Sequence, residues 1–402
     1  MRTKTIIAAL LALAAAVACN KELPVDPETV IRDGNLSVSF SAEAPTRASD
    51  LKATEEENRL NSVDVFVFRA SSSGTTAALE AHRRANKAEL AAKTVRLEVI
   101  PGNKHVYAVA NVPESLTSPV TDEASLKALF ATFPMNSNGS FVMAGSPAGE
   151  SNLTVGTAGN EVSVTLRRLV ARVKLEKIEA AFPAAVEAST TLKVLRVYLT
   201  YVPKRVPLVN GDVVDVFGTP SDKSLDGRTY KDFYEYPVPE AGKDRLGRAE
   251  NGFYNPGVLQ NGKVKVESSV AAITERSANV ALYGAGATAD HSWTPDGDLF
   301  LYAYPNPSVP VYEPRVHDFT TKLVIEAEVN GTVCWYPIRL PYTQPNCAYT
   351  INGIKITRPG SDDPNFPVYV SQCEVSMTVS DWTTGEFLGS YNHPDGDNGF
   401  IM

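Results

Sequence analysis

The 402-residue sequence is poor in the residues and motifs that carry chemistry. Its five histidines, His82, His105, His291, His317 and His393, are scattered, with no pair at metal-ligand spacing. There is no G-x-x-x-x-G-K-[ST] phosphate loop, no G-x-S-x-G nucleophile elbow and no H-E-x-x-H zinc helix. Acidic pieces at 295–298, 360–365 and 393–399 lack the bidentate acid that closes a calcium loop, so they read as turns. The expectation is no enzyme, no metal and no cofactor. Charge of one sign is never concentrated: 38 Lys plus Arg against 46 Asp plus Glu give net −8 without long runs, which argues against a nucleic-acid partner. Only one long apolar run exists, at 6–17, so nothing after it is expected to span a membrane.

That single run reads as an export signal over residues 1–18. Arg2 and Lys4 supply the positive flank, and the small residues Ala16 and Ala18 precede Cys19. Two readings stand. Ala16-Val17-Ala18 satisfies the small-x-small rule of ordinary signal peptidase, whereas a cysteine at the cut followed by Asn20, Lys21 and Glu22 resembles bacterial lipoproteins, although Ala16 stands where leucine is usual. Lipidation of Cys19 would hold the precursor on a membrane, since each buried CH₂ adds about 0.8 kcal/mol. Cys334, Cys347 and Cys373 then remain in an oxidising compartment. One pair, most simply Cys334 with Cys347, could bridge, or all three are small buried apolar residues.

The rest reads as strands and turns, with 27 Pro and 26 Gly as punctuation. LSVSF at 36–40 alternates Leu36, Val38 and Phe40 with serines. VDVFVF (63–68), TVRLEVI (94–100) and HVYAVAN (105–111) continue the strand series, while 76–93 and 122–130 read as helices, the second capped by Thr121 or Asp122. In EVSVTLRRLVARVKLEKI (161–178) the apolar phase slips by one residue at Arg167-Arg168. A period of two cannot absorb that, so a bulge, a kink or a move between sheets is expected there. Asn330-Gly331 between alternating runs is the strongest hairpin signal. The expected class is all-β with minor helices, as two antiparallel β-sandwich domains with transthyretin-like or Greek-key connections. The expected division is a tether and N-terminal strand at 19–47, a first domain at 48–180 and a second at 181–402.

Taken in order, the Cys19 start, PTRAS (45–49), ENRLNSVDVFVF (57–68), SFVMAG (140–145), RLVARVKL (168–175), NCAYTINGIKITRPGSDDP (346–364) and CEVSMTVSDW (373–382) resemble the type V fimbrial subunits of Bacteroidales, the FimA and Mfa-like fimbrillins. That resemblance implies export as a lipoprotein anchored to the outer membrane and cleavage by a trypsin-like protease between Arg47 and Ala48. It also implies polymerisation with copies of itself or related subunits into a cell-surface fimbrium, a strand of the next subunit replacing the one released. The released strand would be Leu36, Val38 and Phe40. The donor would be Val375, Met377 and Val379, with Trp382 at its end.

The residues support this independently, because both segments carry three apolar side chains at period two and could fill one slot. Two alternatives remain. A fimbrial tip adhesin could bind a host protein or glycan receptor through 210–262, and a monomeric surface lipoprotein could stack sugars on the tyrosines of YKDFYEY (230–236). The tail after Trp382 is longer than a plain shaft subunit leads one to expect.

Overall fold

The computed structural model describes residues 34–42, 53–70, 77–147, 153–157, 160–209, 268–306, 321–340, 343–362, 364 and 373–381, and short strands at 253–254, 259–260, 263–264 and 387–393. From the N-terminus run β1 (Gly34–Ser41), β2 (Val63–Arg69), β3 (Leu79–Arg84), β4 (Thr94–Val99), β5 (Gly102–Ala110), β6 (Phe130–Thr132), β7 (Met143–Gly145), β8 (Leu153–Val155), β9 (Asn160–Thr165) and β10 (Arg167–Arg168). There follow β11 (Ala171–Leu175), β12 (Ile178–Ala180), β13 (Leu192–Thr200), β14 (Val202–Pro203), β15 (Arg205–Pro207), β16 (Phe253–Tyr254), β17 (Leu259–Gln260) and β18 (Lys263–Val264). The last are β19 (Glu275–Tyr283), β20 (Ser292–Trp293), β21 (Leu299–Ala303), β22 (Lys322–Val329), β23 (Thr332–Arg339), β24 (Cys347–Ile356), β25 (Cys373–Asp381) and β26 (Phe387–His393).

These strands form four main sheets. The first half of the chain supplies β4-β1-β9 and β10-β7-β5-β2-β3, with β8 on β5. The second supplies β20-β12-β24-β11-β21, extended by β25 on β24 and β26 on β25, and also β19-β13-β22-β23. Pairing is mainly antiparallel, as the short turn-punctuated runs predict. The exceptions are the parallel contacts of β1 with β9 and of β11 and β12 with β24. Strand β2 is buried from Val63 to Phe68, Asp64 included, because it lies between β5 and β3 with both faces covered, whereas β4, at a sheet margin, alternates buried and exposed. Inner faces of all four sheets join one contiguous apolar core running from Leu36 to Val379.

The phase slip at Arg167-Arg168 is a change of sheet. Arg167 and Arg168 pair with β7, and after Leu169 and Val170 the chain joins β21 and β24 as β11. The change of sheet falls at 169–170, and from there β11 and β12 hydrogen-bond to β24 of the second half. One helix expectation is also corrected. Within 76–93 the segment Leu79–Arg84 is β3, paired with β2, and only Lys87–Ala92 is helical, started by an Asn86/Glu89 capping box. Pairing against a buried neighbour overrides the helical propensity of Ala, Glu and Arg. The second helix is short, Glu123–Lys127, with Asp122 and Ser125 as its capping box. Asn330 (φ 49°) and Gly331 (φ 79°) form the β22–β23 turn, where two successive left-handed residues match the strand twist.

Candidate functional site

Strand β1 is the centre of its sheet. It pairs antiparallel with β4, Val38 opposite Val95, and parallel with β9, Phe40 opposite Val164. Alternation puts Leu36, Val38 and Phe40 into the core at 1%, 0% and 2% exposure, and Ala42 follows them at 4%. The serines between face outward, and Ser39 Oγ donates to the Val162 carbonyl at 3.2 Å and lies 2.8 Å from Ser163 Oγ. Phe40 N–H donates to Lys93 O (3.0 Å) and Leu166 N–H to Ser41 O (2.8 Å). Gly34, at the strand's start, could not carry a side chain in place: a Cβ there would lie 2.8 Å from the Val99 carbonyl oxygen. Removing β1 would open a groove with unpaired backbone on both sides.

Strand β25 lies against β24 along its whole length and carries β26 on its other side. Cys373, Val375, Met377 and Val379 are buried, and Glu374, Ser376 and Thr378 face outward. It thus presents four apolar side chains at period two, as β1 does with Ala42 included. Cys19, Arg47, Ala48, Trp382 and the tyrosines of 230–236 lie outside the described residues.

Immediately after 43–52 the chain is fixed by a buried polar cluster. Glu57, capping a turn with Thr54, receives Arg172 Nη1 at 3.0 Å on one carboxylate oxygen and the Tyr302 hydroxyl at 2.8 Å on the other. Arg168 donates through Nε to the Glu57 carbonyl (3.0 Å), through Nη1 to Asn346 Oδ1 (3.2 Å), and through Nη2 to Asn58 Oδ1. Arg168 and Arg172 are fully buried, and the Arg172 guanidinium also lies 4.5 Å from the Phe300 ring centroid. Burial and the neighbouring Glu57 carboxylate push the Tyr302 hydroxyl well above its ordinary range, which keeps it a donor. Nearby, Asn136 Nδ2 donates to Tyr304 Oη at 2.9 Å, and β6 pairs with β15. This cluster ties residues 54–58 to both halves. Its signal in the sequence was two arginines four apart inside the apolar run RLVARVKL, previously legible only as a phase slip.

Three of the histidines have structural partners. His82 Nε2 lies 2.9 Å from Asp64 Oδ1 and stacks on Phe66, His105 Nδ1 lies 2.8 Å from Glu123 Oε2, and His291 Nδ1 lies 2.8 Å from the Leu282 carbonyl. Burial raises the pKa of Glu123, but hydrogen bonds from Tyr107, His105 and Lys127 outweigh it and hold the carboxyl below its usual value. In the 295–298 turn, Asp298 pairs with Lys174 at 3.1 Å. Cys334, Cys347 and Cys373 are all buried free thiols, so the Cys334–Cys347 bridge considered from sequence does not form. Cys334 accepts the Gly360 amide just beyond the Ile356 end of β24, and Cys347 starts that strand at its other end. Cys373 pairs with Ile356, and burial pushes its thiol up to about 12.

Residues 35–170 match the family described as major fimbrial subunit protein (FimA), a span that opens within β1 and closes where the chain changes sheet. Three solved structures share the fold. A cell adhesion protein from Bacteroides eggerthii is 17% identical, covering 87% of this chain and 96% of its own, with a TM-score of 0.53. The fimbrilin FimA of Porphyromonas gingivalis is 14% identical over 88% and 99%, with a TM-score of 0.52. A cell adhesion protein from Parabacteroides distasonis is 14% identical over 87% and 97%, with a TM-score of 0.51. No curated protein matches. The fold is that of the fimbrilin FimA, and residues 35–170 are similar in sequence to the major fimbrial subunits.

Proposed function

We propose that this chain is a structural fimbrial subunit that assembles with other fimbrial subunits at the cell surface. It is exported as a lipoprotein through Cys19, anchored to the outer membrane, and cut after Arg47 by a trypsin-like protease. The cut frees β1, and β25 of another copy takes its place. The observation that carries this reading is the berth of β1: a central strand whose apolar side chains are buried, with Arg47 a few residues further on in the sequence.

Burial of Leu36, Val38 and Phe40 is worth about 5 to 9 kcal/mol before entropy is subtracted. An empty groove therefore has a strong drive to be refilled. Leaving its own sheet costs β25 its pairing with β24 and β26, and entry into the emptied groove gives it β4 and β9 as partners on both edges. Glu57 holds the new N-terminal segment to the body while β1 departs.

Trypsin treatment of the purified precursor tests this: limited cleavage at Arg47 should produce oligomer ladders, and deletion of residues 373–402 should leave the trimmed chain monomeric. Ladders that persist in the deletion variant would remove β25 from the role assigned to it.

A further inference from the structure

The berth of β1 discriminates among the ways a strand could enter it. Resting on the reading above, we infer that residues 373–379 of a second copy enter with the polarity of β1, Cys373 taking the place of Leu36, Val375 that of Val38, Met377 that of Phe40 and Val379 that of Ala42. The two segments then align as LSVSFSA over CEVSMTV. Valine replaces valine at the fully buried central site, and flexible methionine fills the pocket shaped by the phenylalanine. Cysteine underfills the Leu36 site most, and valine adds two methyl groups at the buried Ala42 site. On the outward face Ser376 restores the hydroxyl of Ser39 beside Val162 O and Ser163 Oγ. Glu374 comes to the position of Ser37, between Arg96 on β4 and Glu161 on β9.

The competing registers fail at defined places. Sliding the donor by two, so that Val375 meets the Leu36 site, puts Cys373 at Gly34, where a Cβ lies 2.8 Å from the Val99 carbonyl oxygen. It also drives the carboxylate of Asp381 into the buried site of Ala42. Reversing the strand so that Val379 meets Leu36 forces Met377 into the valine pocket, leaves a hole where Phe40 was and brings Asp381 onto Gly34. The inferred register avoids each conflict because it uses only 373–379, the alternating part of β25.

The test is cross-linking in the trypsin-assembled full chain. Thr378→Cys is combined in one chain, in turn, with Thr165→Cys, Ser163→Cys or Glu161→Cys, all positions away from the core, and treated with a short bis-maleimide. In β1 these three β9 residues lie opposite Ser41, Ser39 and Ser37. In its own sheet Thr378 lies opposite Thr350 of β24, not β9, so a product must join two chains. The inferred register gives a two-chain band with Thr165→Cys, several-fold above the other pairs. A dominant band with Ser163→Cys means the slid register, and one with Glu161→Cys means reversed polarity; either overturns the inference. Oligomers without any of the three bands also overturn it while leaving assembly standing, and absence of oligomers refutes the proposed function itself.

Discussion

Glu57→Ala is the sharpest perturbation of the molecule's interior. The substitution takes from the buried Arg172 guanidinium its carboxylate at 3.0 Å and from the Tyr302 hydroxyl, which stays protonated, its acceptor at 2.8 Å. Breaking a buried pair by removing one partner costs about 3–5 kcal/mol, against a total stability of about 5–15 kcal/mol. Glu57→Gln keeps an acceptor for Tyr302 but not the charge beside Arg172, so it should lose less than the alanine. Urea unfolding followed by tryptophan fluorescence measures both losses, and the alanine variant should also resist separation into a stable first half and an unfolded second, since the core is continuous. A loss below about 1 kcal/mol for Glu57→Ala would show that the cluster does not hold residues 54–58 to the body.

Phe40→Ala should cost the uncut precursor about 3–5 kcal/mol in chemical denaturation, while after trimming and assembly the variant should match the parent, because the altered strand has left. Cys373, buried with its thiol pushed up to about 12, should resist maleimide at neutral pH in the precursor and react within the time course of strand release; labelling as fast as a free thiol would place β25 outside its sheet. Deleting residues 387–402 removes β26 and should accelerate ladder formation, since β25 then leaves only β24. The folded-state pKa of Glu123 is depressed, so its contribution is complete above its ordinary value of 4.5 and fades as pH falls through the lower folded value. Glu123→Gln should accordingly flatten the acid side of the stability profile below about pH 4.5 and lower stability at pH 7.

The strand content was legible because one-sided burial writes itself as period two: Leu36, Val38 and Phe40, or Val95, Leu97 and Val99, leave no other periodicity to read. The Asn330-Gly331 turn was legible for a related reason, since few residue pairs accept two left-handed conformations. Leu79–Arg84 was not, because its helical composition is overruled by pairing with β2, a long-range fact. The phase slip at Arg167-Arg168 marked the place of a sheet change, but the sheet joined afterwards depends on β24, far ahead in sequence. Least legible was the Glu57 cluster. Its members sit at 57, 58, 168, 172, 302 and 346, and beyond the spacing of Arg168 and Arg172 nothing local announces the others.

Mass spectrometry of the trypsin-assembled material measures directly what fills the groove between β4 and β9. The account predicts oligomers whose chains begin at Ala48 and have lost the peptide carrying Leu36, Val38 and Phe40. Chains cut after Arg47 that keep this peptide bound and remain monomeric would contradict it.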